Sequence, residues 1–260
     1  MTIPVAVSRA GGAVRRPRPL AVILALTTLL IVAAILAAAI GSSAIPLDRL
    51  AAILGLVPAD PATIGRDHLI LWSIRLPRIA IAAMVGGMLA VSGAIMQGLF
   101  RNPLADPALV GVSGGAALAA ATIIIVSDKF LESTLFAIPF EVLPVTALFG
   151  ALISTATLYR LATTEGRTSI AIFLLGGLAI AALANAAIGL LVFLADDRQL
   201  RDITFWMLGS LSGATWPKAA AILPFFLATA VTLPLIARGL DLLVLGEAEA
   251  FHSGIHVERL

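Results

Sequence analysis

Gly111-Val112-Ser113-Gly114-Gly115 fits the G-x-S-x-G pattern, in which a serine held on a tight turn attacks an acyl carbon. Such a serine needs a base to take its proton, and imidazole is the usual one. The chain offers His68, His252 and His256. His252 and His256 stand four residues apart with Glu249 and Glu258 nearby, a spacing that on a helix would turn two imidazoles to one face for zinc. Cysteine is absent, which removes thiolate nucleophiles, thiolate metal sites and disulfides. No Gly-x-x-x-x-Gly-Lys-Ser/Thr phosphate loop occurs, so the sequence carries no motif for hydrolysing a nucleotide itself.

The elements that would position these residues are set by composition. Of 260 residues, 60% are hydrophobic and 12% charged, and the mean hydropathy is +1.06. That is too little polar surface to coat a soluble globule. The apolar residues come in runs of about 20, enough to cross about 30 Å of hydrocarbon as helix, whereas a membrane barrel would show short alternating segments. The predicted fold is therefore all-α, a polytopic transmembrane helical bundle. A net charge of +2 gives no reason to expect a nucleic-acid partner.

Spans are predicted near 20–40, 79–97, 108–126, 142–161, 170–195 and 219–237, making 20–237 the membrane domain between a tail, 1–19, and a polar segment, 238–260. Arg9, Arg15, Arg16 and Arg18 precede the first span and hold the N-terminus in the cytoplasm. A cleaved signal peptide is the alternative, but the apolar run is longer than its usual core. Segments 41–78 and 196–218, with a shorter turn at 128–141, then face outward, while 98–107, 162–169 and 238–260 face inward.

Against that frame of helices the chemistry of the first motif weakens. Asn102-Pro103 and Asp106-Pro107 precede Gly111, so a turn stands where a nucleophile elbow needs a strand. All three histidines fall in predicted polar loops, which leaves an intramembrane serine protease without a base, and no catalytic residue is assigned. Gly254 interrupts the helix that a His252/His256 zinc pair requires, so solvated surface is expected there and no metal site. Gly111, Ser113, Gly114 and Gly115 read instead as small residues that let helices approach. Gly86, Ala90 and Ala94, and Gly177, Ala181, Asn185 and Gly189, form small-residue faces that predict helix packing. Asn185 is an amide deep within a span; it either bonds a neighbouring helix or lines a pathway.

Further motifs carry a resemblance. Arg75-Leu76-Pro77-Arg78, Val91-Ser92-Gly93-Ala94-Ile95-Met96-Gln97, Arg101-Asn102-Pro103-Leu104-Ala105-Asp106-Pro107, the glycine motif at 111–115, Leu174-Leu175-Gly176-Gly177, Thr204-Phe205-Trp206-Met207-Leu208-Gly209-Ser210-Leu211 and Leu245-Gly246-Glu247-Ala248-Glu249-Ala250 follow one another in order. Together they resemble the iron-chelate and vitamin B12 permeases of bacterial ABC importers. The resemblance implies an inner-membrane subunit that pairs with a second copy. It would receive cargo from a periplasmic binding protein and pass it through a central passage, driven by ATPase subunits on separate chains. It implies no cofactor and no enzymatic activity of its own.

The same resemblance implies roles for particular residues. Arg75 and Arg78 would meet glutamates on the two lobes of the binding protein. The fifth span would line the passage, with Thr168 and Ser169 near its inner gate; Asn185 joins this set on its isolated polarity. Leu245, Gly246, Glu247, Ala248, Glu249 and Ala250 would fold as a short helix that turns near Gly254 and sits in a cleft of the ATPase. Family members have roughly ten spans of the about 20-residue kind, so the sequence reads as C-terminally truncated, stopping in the segment that leads to a seventh. Residues 194–206 look most similar to haem permeases, then to those for ferric siderophores, then to the cobalamin branch. An inactive membrane-embedded fragment is the alternative of another class.

Overall fold

A computed structural model describes residues 18–41, 43–58, 61–131, 142–165 and 167–254. The chain divides into two compact units, one ending at Ile79 and the other beginning at Ala80.

The first unit opens with α1 (Pro19–Ala39), whose proline lies in the first turn, where its missing N–H is not needed. No acidic or basic residue interrupts α1, and its large apolar side chains are exposed on all sides, as suits a helix solvated by lipid. Two shorter helices follow, α2 (Leu47–Ile53) and α3 (Pro61–Ile70). A π-helical turn, Leu71–Arg75, then leads without a break into α4 (Leu76–Phe100). Ala38, Ala39, Ile45, Leu50 and Leu71 form the core of this unit. The segment expected as an outward loop, 41–78, is thus largely helical. Hydropathy marks where hydrocarbon ends, but a helix can continue past that point. Here polar residues such as Arg49 and Asp67 pair at 3.2 Å on the extension.

In the second unit Asp106 caps a 3₁₀ turn, Pro107–Val110, by accepting from the Ala108 N–H at 2.7 Å. Gly111, at φ +72°, then swings the chain into α5 (Val112–Leu131). α6 (Val142–Ala162) ends in a hairpin of β1 (Thr163–Thr164) and β2 (Arg167–Thr168), and α7 (Ile170–Leu194) follows. Asp196 and Gln199 form a capping box at the start of α8 (Asp197–Leu208). The last two helices are α9 (Trp216–Leu245) and α10 (Glu247–His252). α9 continues beyond the predicted end at 237 because Arg238 and Asp241, though charged, stay on a helix that still buries Gly239 and Leu243.

Directions within this unit follow from which residues meet. Ile81 and Met84 cluster with Ala219, Gly87 faces Phe226 and Gly98 faces Leu240, so α4 and α9 run parallel. Gly111 meets Ser154 while Ala119 meets Gly150, so α5 and α6 are antiparallel; Gly111 meets Gly177 while Gly114 meets Ala184, so α5 and α7 are parallel. An alternating series α4, α5, α6, α7, α9 returns α9 to the direction of α4, as found. Among the described residues, five helices are long and apolar enough to cross a membrane, namely α1, the run Gly65–Phe100, α6, α7 and α9. The apolar part of α5, Val112–Ser127, is shorter, and it packs antiparallel to α6 and parallel to α7.

Candidate functional site

Arg75 and Arg78 sit three residues apart but in different surroundings. Arg75 closes the π-helical turn and is buried. Its guanidinium donates to the Ala38 carbonyl in the last turn of α1 and to the Ser43 carbonyl just beyond. Those last-turn carbonyls have no helical N–H to accept from, and a cation there also favours the helix dipole. A Cβ on Gly41 would lie 2.8 Å from the same guanidinium, so a side chain there would make the arginine shift. Arg78, in the first turn of α4, is exposed. Of the two arginines expected as a docking pair, Arg75 is thus buried against the end of α1 and Arg78 is exposed.

Replacing Arg75 by leucine is expected to destabilise the chain by about 2 kcal/mol, the loss of charged hydrogen bonds to buried carbonyls. Arg78→Leu should change stability by less than about 0.5 kcal/mol, as at most surface positions. Thermal melting of the detergent-solubilised variants checks the contrast, and equal midpoints would contradict it.

The pathway candidates gather around α7. Thr168 on β2 places its hydroxyl 2.9 Å from that of Thr163, pinning the hairpin. Ser169 caps α7 by accepting from the Ile172 N–H at 3.4 Å. Asn185 is exposed, off the stripe of Gly177, Ala184 and Ile188 that the helix buries. An exposed amide on an apolar helix of 25 residues needs water or another protein surface over it.

The small-residue faces behave unequally, which corrects the expectation that each is a packing face. A Cβ on Gly177 would collide with the Leu109 carbonyl, whereas Gly86 and Gly189 have open space around them. A second close junction involves residues the sequence reading passed over, Gly150 and Ser154 on α6. The Ser154 hydroxyl donates to the Gly111 carbonyl at 2.9 Å, and Gly150 lies directly on the Gly115 backbone. Their small-x-x-x-small spacing was the available signal. Ser113 itself is exposed in the first turn of α5, following a 3₁₀ turn and not a strand.

At the other end of the chain, α10 folds against the end of α9. Gly246 takes φ +135°, and a Cβ there would collide with the Glu249 carboxylate. Its carbonyl accepts from the Ala250 N–H at 3.0 Å, and Ala250 is wholly buried. Gly254, just past α10, takes φ +84°. Leu245, Ala248 and Phe251 are exposed. Leu243 is buried at the end of α9. His252 is exposed, while His256 and Glu258 lie outside the described residues.

Residues 8–260 match the family model described as the FecCD transport family. The hemin transport system permease protein HmuU of Yersinia pestis is 42% identical over 194 residues, covering 72% of this chain and 54% of that protein. The cobalamin import system permease protein BtuC of Halobacterium salinarum is 39% identical over 192 residues, covering 74% and 49%. The vitamin B12 import system permease protein BtuC of Yersinia pseudotuberculosis is 36% identical over 187 residues, covering 72% and 53%. The chain thus spans about half the length of the curated relatives it matches. Among solved structures, a metal-chelate type ABC transporter in an inward-facing conformation superposes with a TM-score of 0.74 at 26% identity, covering 92% of this chain and 69% of that one.

Proposed function

Because this chain belongs to the FecCD transport family, we propose that it is a membrane-spanning permease subunit of an ATP-driven ABC importer. Its cargo on this reading is an iron-containing chelate, haem first, moved from a periplasmic binding protein to the cytoplasm. The observation that carries the reading is the family match over residues 8–260, laid on a series of alternating apolar helices. The hemin permease at 42% identity supports haem; cobalamin permeases at 39% and 36% keep that cargo, with ferric siderophores, as the alternatives.

The parts then take roles. Asn185 and Gly189 lie four apart on one exposed stretch of α7, where a second copy or a passage would supply the cover that the amide needs. Thr168 and Ser169, fixed by hairpin and cap, stand at the base of that helix. Arg78 offers an exposed cation for the binding protein, and Arg75 holds the turn that presents it. α10, with its exposed Phe251 and with exposed Leu245 beside it at the end of α9, is the coupling surface for the ATPase. The arginines before α1 keep the N-terminus in the cytoplasm, and the membrane is the bacterial inner membrane.

Reconstitution of this chain with a cognate ATPase and binding protein tests the cargo. ATP-dependent accumulation of haem, above that of cobalamin or a ferric siderophore, is the expected result. Preference for either competitor would replace haem, and no accumulation of any of the three would remove the transport role from this polypeptide. Arg78→Glu is expected to weaken association of the binding protein roughly tenfold at low salt and to flatten its salt dependence. Unchanged association would sink the docking role.

A further inference from the structure

We propose that a cleft between α4, α8 and α9 is a binding site for a zwitterionic phospholipid whose head group carries a primary ammonium. The cleft has a volume of about 510 Å³, and Ile81, Asp202, Phe205, Trp206, Lys218 and Ile222 are among its lining residues. Its polarity is graded. Lys218 and Ile222 are four residues apart on α9, so the apolar residue lies about 6 Å further along the helix axis. Ile81, from α4, joins Ile222 in one apolar cluster. A ligand lying along α9 therefore meets charge first and hydrocarbon-like wall below, the pattern of an amphiphile.

Both signs of charge are held ready. The Lys218 ammonium donates to the Gly213 carbonyl at 2.9 Å, which fixes its place while two of its three N–H groups stay available. Asp202 is half exposed, and its ion pair is a long one, 4.0 Å to Arg198 on the same helix. Exposed pairs of that kind hold a side chain weakly. A phosphate on Lys218 and an ammonium on Asp202 would satisfy both groups at once. A purely anionic head group would leave the Asp202 carboxylate facing like charge.

The depth in the membrane also fits. α9 has 30 residues, about 45 Å of helix against about 30 Å of hydrocarbon. It therefore extends beyond the apolar layer, and its first residue, Trp216, is an exposed aromatic of the type that settles at head-group level. Phe205, largely exposed on α8, supplies a second aromatic wall. The site depends on insertion in a bilayer and not on transport, so a failed uptake assay leaves it standing.

Native mass spectrometry of this chain, released from nanodiscs of equal phosphatidylethanolamine, phosphatidylcholine and phosphatidylglycerol, tests the site. The expected result is one phosphatidylethanolamine retained per chain. Lys218→Glu should reduce that retention roughly tenfold, as loss of a charge-assisted contact. Asp202→Asn, which keeps the shape and one acceptor oxygen but removes the charge, should weaken the preference for phosphatidylethanolamine over phosphatidylcholine, whose quaternary ammonium has no N–H to donate. Combining Lys218→Glu with Asp202→Lys exchanges the two charges and should restore retention. Adducts that follow the bulk lipid ratio, a preference for phosphatidylglycerol, or retention unaffected by Asp202→Asn would each overturn the proposal. Circular dichroism of each variant guards against misfolding, and Asp202→Asn decides the matter if Lys218→Glu fails to fold.

Discussion

Gly150→Leu should leave α5, α6 and α7 unable to assemble. A Cβ at 150 would collide with the Gly115 carbonyl and with the Ala119 side chain, and a longer side chain would need the two helices to separate. Overpacking that side chains can absorb costs about 1–3 kcal/mol. Here the principal obstacle is backbone, which has no rotamer to yield, so the loss should approach the about 5–15 kcal/mol that holds a whole domain. Separation would also break the Ser154 bond to Gly111 and loosen the neighbouring core around Ala121, Ile125 and Leu143. Gly86→Leu and Gly189→Leu, placed in open space on their own helices, should melt close to the parent protein. Thermal unfolding in detergent compares the three, and a Gly150→Leu midpoint within a degree or two of the parent would refute the close approach.

The largest functional effect is expected at α10. A chain ending at Arg238 should fail to co-purify with the cognate ATPase, while the 260-residue chain retains it. That deletion also removes the last turns of α9, with buried Leu243, so point variants must separate binding from folding. Leu245 and Phe251 are exposed beside α10, and their truncation to alanine should leave the melting midpoint unchanged. If they are anchors of an interface, each should weaken ATPase association roughly tenfold. Equal capture of the ATPase by both chain lengths would show that coupling lies elsewhere. Loss of capture on truncation alone, with both alanine variants retained, would place it in the backbone turn of Gly246 and not in the apolar side chains.

Which parts were legible in the sequence follows from what sequence patterns measure. The long apolar runs of α1, α6 and α7 announce themselves because hydrocarbon demands about 20 such residues in succession. The same measure is blind to α2 and α3, whose charged residues end the apolar run without ending the helix. It is blind to the last turns of α9 for the same reason. Arg75 shows a different limit: its partners are the carbonyls of Ala38 and Ser43, and a carbonyl is present at every position whatever the residue. Gly150 and Ser154 had a recognisable spacing, but in a chain crowded with alanine and glycine that spacing recurs too often to single out one contact. Asn185 stood out because an amide among apolar neighbours is rare, and the structure leaves it exposed on its helix.

The π-helical turn that ends in Arg75 acts as a ruler for its own unit. Such a turn holds one residue more than an α-helix would use over the same rise, as though a residue had been inserted into a regular helix. Upstream, Asp67 is tied to Arg49; downstream, Arg75 is tied to the end of α1. Deleting one residue between these anchors would remove that surplus, restore ordinary helical winding and leave Asp67 and Arg75 on the faces they now occupy. Inserting one more would exceed what a single turn has absorbed and rotate one anchor about 100° against the other, so that one of the two attachments would break. Substitutions between Asp67 and Arg75 can be judged singly, by size and polarity, but the stretch tolerates a change of length in one direction only.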